Sequence, residues 1–278
     1  MDIAEFLKKF EEKLYIQRYA QNTINSYINC LTKFLLAFEK YDLSLVNEKN
    51  IENYITHILK NESISDSYQK QLLGTIAKFF ELFYNKKFNL KHLYPKRTKK
   101  SLPKYITQVE VKRLFDSISN QKHLCIVKLI YGSGLRVSEV INLKIEDIDS
   151  NNMQLRIADS KGRKDRYVIF SESLLKELRL YFTTYKPKVY LFEGQKAEKY
   201  SIASIQKVVK RAGKNGNISK IVTPHILRHS FATHLVENGT DIRYVQELLG
   251  HTSIKTTEIY THITDSGKRK IKSPLDLL

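Results

Sequence analysis

Cysteine is scarce in this 278-residue chain, with only Cys30 and Cys125. Both are isolated within apolar helical patterns. That excludes a disulfide scaffold and predicts reduced core thiols in a cytoplasmic protein. No apolar run approaches the roughly 18 residues of a spanning helix, and no signal peptide opens the chain, so no membrane association is expected. Negative charge is also in deficit: 29 Asp and Glu stand against 47 Lys and Arg, a formal net charge of +18. Such an excess predicts a polyanionic partner, and nucleic acid fits better than a membrane surface. The length suffices for one large or two ordinary domains.

What is present is a concentration of cations around one tyrosine, between Thr223 and His262. Thr223 reads as an N-cap with Pro224 at the first helical position, so a helix is expected from there to the stop signal Asn238-Gly239. His225 and Arg228 then share a face of its first turn. A second short helix should start at Thr240 or Asp241, turn Ile242, Val245, Leu248 and Leu249 inward and stop at Gly250, leaving His251 in the following turn. A third is expected from Thr252 or Ser253, with Tyr260 at its end, within reach of the His225/Arg228 face. Cations and a phenol converging on one spot suit a phosphate. Guanidinium groups match charged phosphoryl oxygens with paired donors, and a phenol of pKa about 10 needs a base and a positive site before it becomes a nucleophile. The same residues also fit a solvated helix face. A zinc site on His225 and His229 is disfavoured, because Ile226 stands where a metalloprotease pattern needs glutamate and no further ligands complete a set.

His225-x-x-Arg228-His229, Leu249-Gly250-His251 and Tyr260-Thr261-His262, in this order and at this spacing, resemble the C-terminal signature of the tyrosine recombinases, the phage-integrase family. Other parts of the chain can be compared with that pattern. Up to about Tyr94 the periodicity is helical: Ile3 to Leu14, Ile24 to Phe38 after the start signal Asn22-Thr23, Ile51 to Leu59, and Leu72 to Phe83 after Ser65-Asp66-Ser67. Four amphipathic helices predict a compact bundle in which nothing looks catalytic. Thr23, Asn25, Ser26, Tyr27, Lys33 and Lys70 are candidate backbone contacts to DNA or ordinary solvated positions. The Asn22-Thr23-x-x-Ser26-Tyr27 stretch is similar to the opening of the family's core-binding domain. Tyr94 to Lys104 carries two prolines and a run of cations and reads as an extended basic linker. Gly132-Ser133-Gly134-Leu135-Arg136-Val137-Ser138-Glu139 is a break followed by a helix start, and resembles the family's first arginine motif. After Asp147-Ile148-Asp149 the period becomes two: Gln154 to Ala158 and Arg166 to Phe170 predict a hairpin with Asp159 to Asp165 at its tip. Helices are expected from Ser171 to Tyr181 and Ser201 to Ala212, and a loop from Gly213 to Ser219.

The expected fold is therefore mainly α with a small antiparallel β-sheet (α+β). Residues 1–94 form a helical core-binding bundle, 95–105 a basic linker, and 106–278 a tyrosine-recombinase catalytic domain ending in a tail. The resemblance implies that Tyr260 attacks a scissile phosphate to give a 3′-phosphotyrosyl link and a free 5′-hydroxyl, reversed by a second strand's hydroxyl. Arg136, Arg228 and His251 would hold the non-bridging oxygens, with Glu139 supporting Arg136. His225 would accept or orient the tyrosine proton, and His229 would pack locally. Lys161, before Gly162 on the hairpin, would protonate the leaving 5′ oxygen, with Lys164 as competitor. The linkage conserves the phosphodiester's free energy, so no cofactor, ATP or metal is implied. The implied partners are double-stranded DNA with paired half-sites and a homotetramer on it, with a second recombinase possible. A type IB topoisomerase and a non-catalytic DNA-binding regulator are the alternative functions. The two-domain size is Xer-like, without the arm-binding domain of phage-type integrases. Ser273-Pro274-Leu275-Asp276 is similar to the end of integron integrases, whose insertion before His-x-x-Arg is absent. Mobile-element integration and chromosome-dimer resolution both stay open. In the basic tail from Gly267, apolar Ile271, Leu275, Leu277 and Leu278 are expected either to fold back on their own domain or, as the resemblance implies, to dock on a neighbouring protomer.

Overall fold

Hydrophobic spacing in the first third of the chain becomes four helices in the computed structural model, which describes residues 2–96, 104–160, 164–195, 198–251 and 253–260. Most of the linker, Lys161, Thr261-His262 and the tail lie outside the described residues. The chain divides into two compact units, Met1–Lys100 and Ser101–Leu278.

The first unit contains α1 (Ile3–Ile16), α2 (Gln21–Ala37), α3 (Glu48–Asn61) and α4 (Asp66–Tyr84). Asp2, Asn47 and Ser65 cap α1, α3 and α4 through their side chains. α2 departs from expectation: it begins before Asn22-Thr23, on Ala20, with no side-chain cap. Packing against α1 and α4 supplies what the cap does not. The core is rich in phenylalanine, with Phe79 within 6.0 Å, centroid to centroid, of Phe6, Phe10, Phe80, Phe83 and Tyr84. Of the polar candidates, Lys33 lies over the Tyr68 ring and 3.6 Å from Glu62, and Asn25 accepts a hydrogen bond from Gln21. Lys70 is exposed.

The second unit is built around α6 (Gln121–Ser133), whose Cys125, Ile126, Val127, Leu129 and Ile130 are buried. Around it pack α5 (Gln108–Asp116), α7 (Val137–Asn142), α8 (Glu172–Tyr185), α9 (Ile202–Asn215) and α10 (Pro224–Glu237). α11 (Ile242–Leu249) rests on α10 and on an antiparallel sheet of order β1-β2-β3. The hairpin strands are longer than expected, β2 (Gln154–Ser160) and β3 (Lys164–Ile169), with a register shift between Ile157 and Ser160. β1 (Ile148–Asp149) adds an unforeseen short strand against Leu155 and Gln154. α8 runs on to Tyr185, and Lys186 in the left-handed region ends it. α9 also continues past Ala212, because Gly213 lets the helix lie against Val222: a Cβ there would come 2.7 Å from that side chain. Among the described residues no helix is long and apolar enough to cross a membrane.

α6 stops at Gly134, at φ 60, where an added Cβ would lie 2.4 Å from the Phe231 ring. Gly239 has φ 89 but nothing within 4 Å. Gly134→Ala should therefore lose about 2–4 kcal/mol in stability, strain plus overlap, and Gly239→Ala about 1 kcal/mol. Equal losses in denaturant titrations would overturn the packing account of Gly134.

Candidate active site

α10 begins as its sequence dictates, with the Thr223 hydroxyl accepting from the Ile226 N–H and Pro224 in the first turn. The helix is buried on several sides. Ser230 accepts from the Ile106 N–H at 3.0 Å and His234 meets the Tyr131 hydroxyl at 2.9 Å. These contacts anchor one side, so His225, Arg228 and His229 on the other side are held in place.

The centre of the site is the Glu139 carboxylate. Arg166 forks onto it, Nη1 to Oε1 and Nη2 to Oε2, both at 2.8 Å. Arg136 donates its backbone N–H to Oε2 at 2.7 Å and Nη1 to Oε1 at 2.9 Å. Arg228 Nη1 stands 3.7 Å from Oε2. Those guanidinium groups hold Glu139 below the usual carboxylate range although its burial alone would raise it. The same three arginines also occupy the end of α11. Arg166 Nε donates to the Leu248 carbonyl at 3.1 Å, Arg228 Nη2 to Leu249 at 2.5 Å and Arg136 Nη2 to Gly250 at 3.3 Å. A helix C-terminus leaves carbonyls without partners and carries partial negative charge, so three cations are a fitting cap. Gly250, at φ 61, closes that end, and a Cβ on it would meet the Arg166 side chain at 3.0 Å.

Arg228 is 3% exposed and also donates to the Gly134 carbonyl at 2.6 Å. Burial and the Arg136 charge bring its pKa down to about 10, which still leaves it charged at neutral pH. Its Nη2 lies 3.3 Å from His251 Nε2, and His251 Nδ1 lies 3.0 Å from the Thr257 hydroxyl. Burial and the nearby arginines push His251 down to about 4, so its neutral form donates from Nδ1 and accepts at Nε2. His225 is exposed on one side while its ring packs 4.0 Å, centroid to centroid, from that of His229; partial loss of hydration and the Arg228 and Arg136 charges lower its pKa.

Tyr260 is 1% exposed, packed with Phe231, Ala232, Val245 and Leu249. Its hydroxyl lies 2.6 Å from His229 Nδ1. The tyrosine's partner in this arrangement is thus His229, which the sequence reading treated as packing, and not His225. Burial raises Tyr260 to about 12, against the opposing pull of Arg228, while burial and then the His225 charge lower His229 to about 4. Arg136, Arg228, His251, His225 and Tyr260 thus share one region; Lys161 lies outside the described residues, and Lys164 starts β3. Arg166 was missed. Its signal was the strand alternation, since it has the inward phase of buried Val168 and Phe170.

Beside Arg136 and Glu139 opens a cleft of about 550 Å3 lined also by Lys144, Arg156, Tyr190 and Lys199. A second groove is lined by Lys207, Lys210, Arg211, Lys214 and Lys220. Both surfaces suit a polyanion.

Removing one partner of a buried charge cluster leaves the others uncompensated, so Glu139→Gln should destabilise the fold by about 3–5 kcal/mol at neutral pH. Glu139's folded pKa is depressed. Its contribution is therefore present above the ordinary glutamate value of about 4.3 and is lost as pH falls through the folded value. The gap between wild type and variant should shrink below that pH. A gap unchanged from neutrality down to the acid transition would show that the carboxylate charge is not what holds the arginines.

A model of the phage integrase family matches residues 104–266, and one of the phage integrase N-terminal SAM-like domain matches 6–90. The tyrosine recombinase XerA of Pyrococcus furiosus is 37% identical, over 99% of this chain and 95% of its own length. A crystal structure of XerA recombinase superposes with TM-score 0.57 at 31% identity, covering 97% of each chain. The lambda integrase tetramer bound to a Holliday junction shares the fold with TM-score 0.75 at 19% identity, over 98% of this chain and 79% of that one. The chain belongs to the phage integrase family and is a tyrosine recombinase.

Proposed function

We propose that this recombinase cuts and rejoins double-stranded DNA through a 3′-phosphotyrosyl intermediate on Tyr260. The observation that carries the reading is a charge imbalance. Three guanidinium groups converge on one carboxylate, and two of them, Arg136 and Arg228, are not committed to it in the forked way that Arg166 is. A site partly shielded from water with this positive excess favours a substrate whose negative charge grows in the transition state. Arg136 and Arg228 would take the non-bridging oxygens, with His225 beside them. Once a phosphate arrives, its negative charge opposes the arginines' effect on His251, so the imidazole can take up a proton and donate from Nε2.

Lys161 is the proposed general acid, carried over from its place before Gly162 in the hairpin. The basic cleft beside Arg136 and the cation-lined groove on α9 would receive flanking phosphates, and the bundle of the first unit would complete the grip on a duplex. Paired half-sites and a tetramer are the proposed assembly. A topoisomerase or an inactive regulator has no observation in its favour, and integration against dimer resolution turns on the DNA site.

Tyr260→Phe should bind half-site DNA with unchanged affinity and form no covalent adduct, whereas wild type gives a 3′-linked species on a nicked suicide substrate in a denaturing gel. An adduct with the Phe variant would sink the assignment. A second experiment isolates Lys161. With sulfur replacing the 5′-bridging oxygen, the leaving group needs little protonation, so Lys161→Ala should recover most of a roughly 100-fold or greater loss and Arg228→Ala should not. Recovery by Lys164→Ala instead would move the role to that residue.

A further inference from the structure

We propose that His229 is the base that takes the Tyr260 proton during strand cleavage. This rests on the reading of Tyr260 as nucleophile and adds the residue that activates it. Among the described residues the phenol has one hydrogen-bond partner, His229 Nδ1 at 2.6 Å, and the two rings lie 5.6 Å apart, centroid to centroid. Among the described residues nothing else is placed to accept this phenol proton, which is buried against apolar Phe231, Val245 and Leu249, and an unmatched buried donor is costly. Nδ1 is therefore the acceptor, and His229 is the neutral tautomer with its proton on Nε2.

Its surroundings keep it neutral. His225 and Arg228 face it from α10, His251 from the turn after α11 and Tyr260 from its own short segment, and none of these is an anion at neutral pH. A base must be free of its proton before the reaction, and this one is. The exposed His225 ring packs 4.0 Å away between centroids, and its charge also disfavours a resting proton on His229.

The step balances as follows. The Oη–H bond breaks and its proton passes to His229 Nδ1, while the Oη lone pair forms the bond to phosphorus. The bond from phosphorus to the 5′ oxygen breaks, and that oxygen takes a proton from the general acid. In the reverse step His229 returns its proton to the departing Tyr260 oxygen, so one imidazole serves both directions.

Single-turnover cleavage of a nicked suicide substrate between pH 6 and 9.5 tests this with the full chain. His229→Gln can accept a hydrogen bond but not a proton. It should cleave about 100-fold or more slowly at pH 7, and its rate relative to wild type should recover about tenfold per pH unit as hydroxide replaces the lost base. With 3,5-difluorotyrosine at position 260, a more acidic phenol, the Gln variant should regain much of its rate. A deficit that is the same at every pH and untouched by fluorination makes His229 merely structural and overturns the proposal, as does an unchanged rate. If Tyr260→Phe gives no adduct in the same assay, the nucleophile stands and only the base assignment falls. Should His229→Gln lose its thermal transition, His229→Asn takes its place. Nitrogen-15 NMR of wild type decides independently of any variant: an unprotonated Nδ1 at pH 7 is expected, and a protonated one overturns the proposal.

Discussion

The structure of the site depends on a cluster of three arginines that share a single carboxylate. Glu139 and the last carbonyls of α11 together hold Arg136, Arg166 and Arg228, and between them they fix elements distant in sequence: the turn after α6, strand β3, and helices α10 and α11. Gathering like charges in a poorly solvated place opposes folding. The opposition is reduced by bidentate geometry at Arg166 and by the helix end, and what remains is a demand for an anion. Stability and the proposed affinity for phosphate therefore pull in opposite directions in the same few side chains.

The groups around Tyr260 divide by the same field. Removal from water, and after it the neighbouring positive charges, depress His229 and His251, while removal from water raises Tyr260 to about 12. At rest the proton belongs firmly on the phenol, and the imidazole beside it is empty. In the proposed mechanism a bound phosphate changes that balance, because its negative charge raises the affinity of each imidazole for a proton. Substrate binding and base strength are thus coupled through charge.

Much of this was readable in the chain because it is local. Thr223-Pro224 starts α10 and Gly250 ends α11, since capping and left-handed conformations are properties of single residues. The residues that converge from several elements were harder. Glu139 was read as a neighbour of Arg136 alone, yet Arg166 makes the stronger contact with it, across the fold. Only a period-two argument could have placed that arginine inward, and a cation in a buried phase invites the opposite reading. The tyrosine proton was expected at His225, and His229 at local packing; which of two histidines one turn apart on α10 meets the phenol is set by how the segment carrying Tyr260 docks, which spacing alone does not fix.

That segment departs most from expectation, and its form bears on function. In place of a third helix after His251 there are two short 3-10 turns, Ile254–Thr256 and Glu258–Tyr260. They close through single bonds from Thr256 to Ser253, Thr257 to Ile254 and Tyr260 to Thr257. Short 3-10 pieces have little stability of their own, so Tyr260 is held by side chains: its ring among Phe231, Val245 and Leu249, and the Thr257 hydroxyl on His251. The arginines, by contrast, are fixed to helix ends and a strand. A phosphate therefore meets a preformed cation cluster, while the phenol can be repositioned by exchanging a few side-chain contacts without breaking an α-helical ladder. Thr257 holds His251 and His251 touches Arg228, so in the proposed mechanism a phosphate taken by Arg228 and His251 would act on the same contacts that hold the tyrosine's own segment.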